Sequence, residues 1–479
     1  MAAHGPSPNG TPQDLKTTMH LFPRARSDTL CEVTSDSMGT GETGQVVMPT
    51  GHRVIVLGGG FGGLACARAL DKKAVDVLLL DRHNYHLFTP LLYQVATSLL
   101  NPSDIAYPHR SIFRRSTNVR FRQSRVVGVD LDRRIVRTQD DEELPYDSLV
   151  IATGSENNYF ADEELAQHTL GMKTLAEAMR LRNHVLSCLE LAARTGSLDE
   201  RRAWLTFVIA GGGPTGVEYA GALAELLRLV LGRDFPELDP RLARIVLVEG
   251  QDRLLGAFHP KLGEYAARIL RDHGIEVRTS NLVQKATDEL VLLSGGDEIA
   301  TRTIVWSAGV RPSDPLDQPE LERSRVRRLC VDGQLRLPEH PEVFVIGDAA
   351  SVADDGGELP MLSPPAMQAG RYVARSIVAR ATGVTDRRKP FRYVDKGTMA
   401  TIGRRAAVAD VHGLKLKGTI GWLAWLLVHI YYLIGFRNRA VVLASWAWNY
   451  LRRDRPIRLI LRSEADAAAA SLESDASGK

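Results

Sequence analysis

The sequence predicts an α/β fold that carries the same strand, glycine-rich turn and helix twice. Three observations lead there. RVIVL at Arg53–Leu57 is a continuous apolar run of the kind a strand buried on both faces requires, and GGGFGG follows at once. The pattern returns about one domain length later: FVIAGGGPTGVEYAGAL from Phe207 aligns with VIVLGGGFGGLACARAL from Val54 in strand, glycines and small helix residues. Each copy leads to a second apolar strand ending in an acid, VDVLLLD at Asp81 and RIVLVE at Glu249. The inference is two Rossmann-like dinucleotide-binding domains with a C-terminal helical segment of different character behind them.

Composition bounds the remainder. Among 479 residues, 60 Lys+Arg oppose 57 Asp+Glu, 44% are apolar and 24% charged. That length supplies core for roughly two to four domains of about 100–200 residues and excludes a mini-protein that needs staples. A formal net charge of +3 argues against a generally basic nucleic-acid binder. A mean hydropathy of −0.13 argues against a polytopic membrane protein. Cys31, Cys66, Cys188 and Cys330 lie far apart with no ligand spacing, so neither a metal centre nor a disulfide framework is expected.

Along the chain, residues 1–50 are rich in Gly, Ser, Thr, Pro and Asp, lack hydrophobic periodicity and read as a disordered extension. They hold no secretory h-region, their acids outnumber their bases, and Met38 and Met48 are alternative starts. Residues 51–172 and 310–385 form the first nucleotide-binding domain, interrupted by the second at 173–309. Leu144–Gly154 returns to the first domain, with LVIATG a strand that ends in a tight turn. Thr174 and Glu177 make a capping box ahead of the amphipathic stretch MRLRNHVLSCLELAAR, which opens the second domain. Val343–Ile346 is a further buried strand, running into Gly347, Asp348 and Ala349. Residues 386–462 form the C-terminal region, and the alanine-rich stretch 463–479 reads as a frayed tail.

The GxGxxG spacing of Gly58, Gly60 and Gly63 has three tasks. It turns the backbone sharply, admits a pyrophosphate, and packs a helix whose N-terminal amides face the phosphate charge. Asp81, with Arg82 beside it, is placed for a ribose hydroxyl. The second cradle has Gly211, Gly213 and Gly216, with Pro214 and Thr215 between the last two. Its glycine-to-acid distance exceeds the usual ~20 residues, which requires a longer helix and a loop through GRDFPELDP. A carboxylate at Glu249 accepts from the 2′-hydroxyl of NADH and repels the extra phosphate of NADPH, while Arg253 nearby keeps NADPH open. Two dinucleotide sites suggest one cofactor that stays and one that exchanges.

The Gly347–Asp348 pair after an apolar strand resembles the flavoprotein signature in which the aspartate binds the ribityl chain of FAD. That assigns FAD to the first site and NADH to the second. Nine pieces appear in order: GGGFGGL, NYHLFTPLLYQVAT at Asn84, ATG at Ala152, GGGPTGVEYAGALAEL, WSAGV at Trp306, VFVIGDAA, PPAMQAGRYVA, KGTMATIGR at Lys396 and LIGFRNR at Leu433. Together they resemble the pyridine nucleotide-disulfide reductase-like flavoproteins and, within them, the type II NADH:quinone oxidoreductases, over roughly residues 52–462. Where disulfide reductases of this superfamily carry a redox-active cysteine pair, this chain has Asn84, His86, Thr89 and Pro90. Sulfide:quinone oxidoreductases also need cysteines near the flavin, and four scattered ones do not fit.

The resemblance implies hydride transfer from NADH to FAD and two-electron reduction of a membrane quinone, ubiquinone or menaquinone, without proton pumping. It implies that Pro90, Leu91, Tyr93 and Gln94 lie beside the flavin, and that Thr153, Gly154, Ala308, Gly309, Gly347, Asp348 and Ala349 line the cofactors. It puts Glu218 near nicotinamide and flavin, although an acid early in that helix also suits the helix dipole. Gln368 falls where the quinone-site motif ends in glutamine; Pro364 stands where a first glutamine is common. Lys396 falls where the family's lysine approaches the flavin and would stabilise negative charge. Two alternatives stay open: a flavoprotein reductase with another acceptor, ferredoxin-reductase or apoptosis-inducing-factor-like, and a non-catalytic NADH-sensing membrane flavoprotein.

From Gly418 to Phe436 no Asp, Glu, Lys or Arg occurs, and those 19 residues just reach the ~17–25 that span a bilayer. Lys415, Lys417, Arg437 and Arg439 flank the run, His429 interrupts it, and a second run, AVVLASWAWNYL, follows. That favours two helices lying on a membrane over one crossing it. Arg452, Arg453, Arg455, Arg458 and Arg462 suit an anionic leaflet. The expectation is a peripheral protein on the cytoplasmic face of a bacterial inner membrane, with homodimer formation open.

Overall fold

The structure is a computed structural model that describes residues 51–461 apart from 317, 319, 355, 356 and 453–456. The N-terminal extension with Cys31, Met38 and Met48, the tail, and Arg453, Arg455 and Arg462 lie outside the described residues.

Arg53–Leu57 is an inner strand of a six-stranded sheet, paired in parallel with Asp76–Asp81 on one side and Ser148–Ile151 on the other. Val119–Gln123 and His340–Val345 extend the two sides in parallel, and Arg336–Leu337 closes one edge antiparallel. Val54 and Val56 pack into one hydrophobic core and Ile55 and Leu57 into another. Both faces are covered, which is why the sequence there is apolar without alternation.

A second, five-stranded sheet is parallel throughout, in the order Leu170–Gly171, Thr303–Trp306, Thr206–Ala210, Arg244–Val248, Ile275–Arg278. It repeats the first. Each glycine-turn strand lies between a strand leading to an acid and a strand leading to a small-residue turn, ATG after Ile151 and SAG after Trp306. The duplication therefore reaches a third strand that the alignment of the two turns did not reveal. Leu175–Arg194 starts as expected: Thr174 Oγ1 accepts from Glu177 N at 3.2 Å and Glu177 Oε2 accepts from Thr174 N at 2.8 Å.

The C-terminal region is an antiparallel sheet of Thr398–Gly403, Ala406–Val411 and Leu414–Lys417, followed by the helices Gly418–Tyr432 and Phe436–Arg452. Glycine lets this region come close to its neighbours. A Cβ on Gly221, in the helix Pro214–Leu231, would lie 1.9 Å from the Ile402 carbonyl oxygen, and one on Gly421 would lie 2.8 Å from that of Ala407. The sheet is thus held against the cradle helix at one strand and the first C-terminal helix at the next.

The charge-free run is not one helix. It breaks over Leu433–Gly435, where Gly435 takes a φ of +89° that only glycine adopts readily. The first helix has 15 residues, about 22 Å of rise, and no helix among the described residues is long and apolar enough to cross a membrane. Arg439 closes the break, donating to the carbonyls of Tyr431 (2.8 Å) and Leu433 (2.7 Å). Gly421, Trp425 and His429 face inward, whereas Ile420, Leu423, Leu427 and Tyr431 are exposed. Arg458 pairs with Asp234 at 2.9 Å.

Candidate functional site

At the first cradle, two glycines are demanded by the protein and one by open space. A Cβ on Gly58, whose φ is +96°, would lie 2.3 Å from the Ala152 carbonyl oxygen, and one on Gly63 would lie 1.9 Å from that of Gly58. At Gly60 a Cβ would meet nothing within 4 Å, so a side chain there is excluded only by whatever occupies the cradle. Asp81 accepts from Gly59 N (2.6 Å) and His83 N (2.7 Å), which leaves lone pairs toward the cradle. Burial raises its pKa, opposed by those same two N–H groups. Arg82 is exposed. Thr153 Oγ1 donates to Ser313 O at 2.6 Å, and Gly154 beside it has a φ of +71°. Gly347–Ala349 forms a single 3₁₀ turn, and Asp348 accepts from Ser155 Oγ.

Two residues here escaped the sequence reading. His109 is fully buried with neither ring nitrogen bonded among the described residues, and its Cε1 lies 2.2 Å from where a Gly59 Cβ would be. Burial, then the neighbouring His86, holds its pKa down to about 4, so the ring is neutral. Lys173 lies near Asp348 and Glu177; burial lowers its pKa and those carboxylates oppose the shift. No local motif marks either residue, because both are brought to the site by folding.

The second cradle repeats the first. A Cβ on Gly211, with φ +106°, would lie 2.5 Å from the Ser307 carbonyl oxygen, one on Gly216 would lie 1.9 Å from that of Gly211, and one on Gly213 would meet nothing. Pro214 and Thr215 are exposed at the helix start. Glu249 accepts from Gly212 N (2.6 Å) and Gln251 N (2.7 Å), the arrangement Asp81 makes with Gly59 and His83. The longer spacing is absorbed by an 18-residue helix in place of one of 10. Arg253 donates from Nη2 to Gly256 O in its own loop at 3.1 Å. Ala308 is exposed and Gly309 half-buried, with the Gly309 carbonyl accepting from Asn158 N. Both cradles fit a dinucleotide.

Between the second cradle helix and the C-terminal helices lies a cavity of about 480 Å³, counted to its open mouth. Glu218 lines it, half-buried, and accepts from Thr401 N at 3.1 Å. That bond turns Glu218 toward the C-terminal sheet and not only toward its own helix start. Burial pushes its carboxyl up to about 8, against the Thr401 N–H. Opposite stand Trp422, Trp425 and Trp446. Gln94 bridges the two sides: it accepts from Trp446 Nε1 at 2.8 Å and donates to the Tyr93 hydroxyl at 2.8 Å. Pro90 and Leu91 belong to the turn Thr89–Leu91, which leads into the short helix carrying Tyr93 and Gln94. Trp425 stacks on His429 with ring centres 4.1 Å apart, and burial holds that imidazole at about 4, hence neutral.

Glu218 and Gln94 are therefore brought together; Gln368 and Lys396 do not join them. Both amide atoms of Gln368 are bonded to the Val394 backbone, Nε2 donating to its carbonyl (2.9 Å) and Oε1 accepting from its N–H (3.1 Å). Lys396 is exposed and donates to the Tyr432 hydroxyl at 3.3 Å.

Residues 52–370 match the family described as pyridine nucleotide-disulphide oxidoreductase, and residues 396–454 match the NDH2 C-terminal domain. The chain is 37% identical over 419 residues to the type II NADH:quinone oxidoreductase Ndh of Mycobacterium tuberculosis, covering 85% of this chain and 90% of that protein. It is 39% identical to NdhA of the same organism, also a type II NADH:quinone oxidoreductase, over 84% and 88% of the two lengths. A solved structure of NDH2 from Plasmodium falciparum in complex with NADH shares the fold, with a TM-score of 0.76 at 19% identity, covering 86% of this chain and all of that one.

Proposed function

The chain belongs to the type II NADH:quinone oxidoreductases, and from that premise we propose which of its residues carry the reaction and where the quinone meets them. When bound, FAD would supply the hydride acceptor for NADH and the two-electron donor for the quinone, with no proton pumped. In our reading FAD is held at Gly58, Gly60, Gly63 and Asp81 with Thr153, Gly154 and Asp348, in a domain of 51–172 and 310–385. NADH is held at Gly211, Gly213, Gly216 and Glu249, in a domain of 173–309. The quinone head group enters the chamber between Glu218 and Gln94. Glu218, with a carboxyl at about 8, is protonated at neutral pH and donates to a quinone oxygen. The tryptophan wall excludes water and offers flat apolar surface to a quinoid ring. Gln368, bonded to the Val394 backbone, and Lys396, bonded to Tyr432, stand outside the chamber lining.

The C-terminal helices rest on the membrane and open the chamber toward the lipid in which quinone is dissolved. Their exposed row of Ile420, Leu423, Leu427 and Tyr431 supports that reading, as does the basic character of the region. A basic apolar surface suits the anionic cytoplasmic leaflet of a bacterial inner membrane.

The observation that carries the proposal is the chamber itself, which joins Glu218 and Gln94 to three tryptophans of the C-terminal helices. Ala222 lines it. Ala222→Phe fills it and Gln94→Leu breaks the bridge to Trp446. Each should raise the KM for a soluble quinone at least about tenfold, the loss of roughly 1.4 kcal/mol of binding. Bleaching of the flavin by NADH should stay as in the parent. Quinone quenching of tryptophan fluorescence should weaken in parallel. An unchanged quinone KM in both variants would remove the chamber from the reaction.

A further inference from the structure

The reaction NADH + H⁺ + quinone → NAD⁺ + quinol balances only if one proton per turnover comes from solvent. The hydride brings two electrons and one proton, and the quinol holds two protons. A chamber walled by tryptophans on its membrane side must receive that proton through the protein. We infer that Glu225 and His273 form the proton entry to the chamber, leading from solvent to Glu218; the inference rests on the chamber being where quinone is reduced.

Glu218 and Glu225 lie seven residues apart on the helix Pro214–Leu231, about 10 Å along its axis, and both line the chamber with Ala222 between them. One strand end is bonded to each: Thr401 N donates to Glu218, and Arg404 N donates to Glu225 Oε1 at 2.5 Å. Beyond Glu225 the chain passes through Gly403. The point where a Gly403 Cβ would sit is 3.3 Å from Glu225 Oε1 and 3.4 Å from His273 Nδ1. Both groups therefore approach Gly403 on the side its missing side chain leaves open, and in the inferred entry a bridging water stands between them.

His273 closes the helix Pro260–Asp272, is half-buried, and its Nδ1 is buried with no hydrogen-bond partner among the described residues. An inward ring nitrogen without a partner, on a residue that also reaches solvent, suits a group that takes a proton outside and releases it inside. Charged groups from each neighbouring element face this pair. Arg228 lies on the helix of Glu225, Asp272 precedes His273, and Arg404 lines the chamber with its guanidinium donating to Asn449 O. Trp422 and Asn449, which the C-terminal helices contribute, are uncharged. Burial lowers the His273 pKa and Arg228 adds to this, opposed by Glu225 and Asp272, so the ring is largely neutral at pH 7 and free to accept. Glu218 holds its proton up to about pH 8 and is the natural last donor.

The alternative is that Glu225 only pins Arg404 N and His273 only ends a helix. Glu225→Gln keeps the pinning acceptor and removes the proton carrier, so it separates the two. In the full-length, FAD-loaded enzyme, Glu225→Gln should leave flavin bleaching by NADH unchanged. Its quinone turnover should fall roughly 10²-fold, the lower end of what a positioned proton donor contributes. The alkaline limb of its pH profile should move to lower pH, the solvent deuterium isotope effect should grow, and Glu225→Asp should recover most of the rate. His273→Ala should slow the same step and be rescued by added imidazole. Parental pH profiles and isotope effects in Glu225→Gln and His273→Ala would overturn the relay. If that happens while Ala222→Phe still blocks quinone, the relay fails and the chamber stands; if Ala222→Phe is also silent, the chamber itself is wrong.

Discussion

Glu218 shows how one side chain is set by elements far apart in sequence. The turn and helix behind it are local, but its environment comes from Thr401 and the tryptophans, nearly 200 residues or more away. Its carboxyl is raised from the usual 4.5 to about 8, so the folded protein binds a proton there more tightly than the unfolded chain. The resulting cost is absent below about pH 4.5, grows as pH rises, and is complete above about 8. Glu218→Gln should therefore melt higher than the parent at pH 9, by an amount worth about 2–4 kcal/mol, with the difference vanishing near pH 4.5. A thermal melt series across that range checks it, and a difference independent of pH would refute it. At this scale the sequence made the glycines, Asp81 and Glu249 readable, because their spacing is itself the signal. It could not show that Gln368 spends both amide atoms on Val394, that His109 packs against Gly59 and Lys173 lies near Asp348, or that Glu225 and His273 both approach Gly403.

Among elements, glycine sets how closely neighbouring backbones can approach. Gly221 and Gly421 are unremarkable in the sequence, yet each admits a backbone carbonyl that any side chain would displace. Gly221→Val and Gly421→Val should each cost about 1–3 kcal/mol by overpacking. They should also speed proteolysis between the C-terminal sheet and its helices while leaving NADH reduction of the flavin intact. Parental protease resistance in both would show that these contacts do not hold the region in place. The periodic helices and inner strands were legible from their own residues. The break at Leu433–Gly435 was not, because a charge-free run does not reveal that Arg439 will cap its first half.

For the molecule as a whole, the near-neutral charge hides a division. From Lys396 to Arg462 there are 12 Lys+Arg against 2 Asp+Glu, which leaves 48 against 55 elsewhere. The basic part also carries the exposed apolar row, Leu427 and Tyr431 each more than 70% exposed. Ile420→Ser with Leu427→Ser should lower binding to vesicles containing anionic lipid by roughly tenfold or more, since burying each such side chain is worth about 1.5–3 kcal/mol. Turnover with a water-soluble quinone should not change. Flotation of the double variant equal to the parent would show that this face does not dock on the membrane.

The two cradles, their acids and the basic aromatic end could be read from the chain alone, because turns, strands and charge runs are governed by neighbours in sequence. The chamber could not. Gln94, Glu218, Thr401 and Trp446 are scattered over more than 350 positions, and they meet only because glycines let a sheet and two helices close over the second cradle helix.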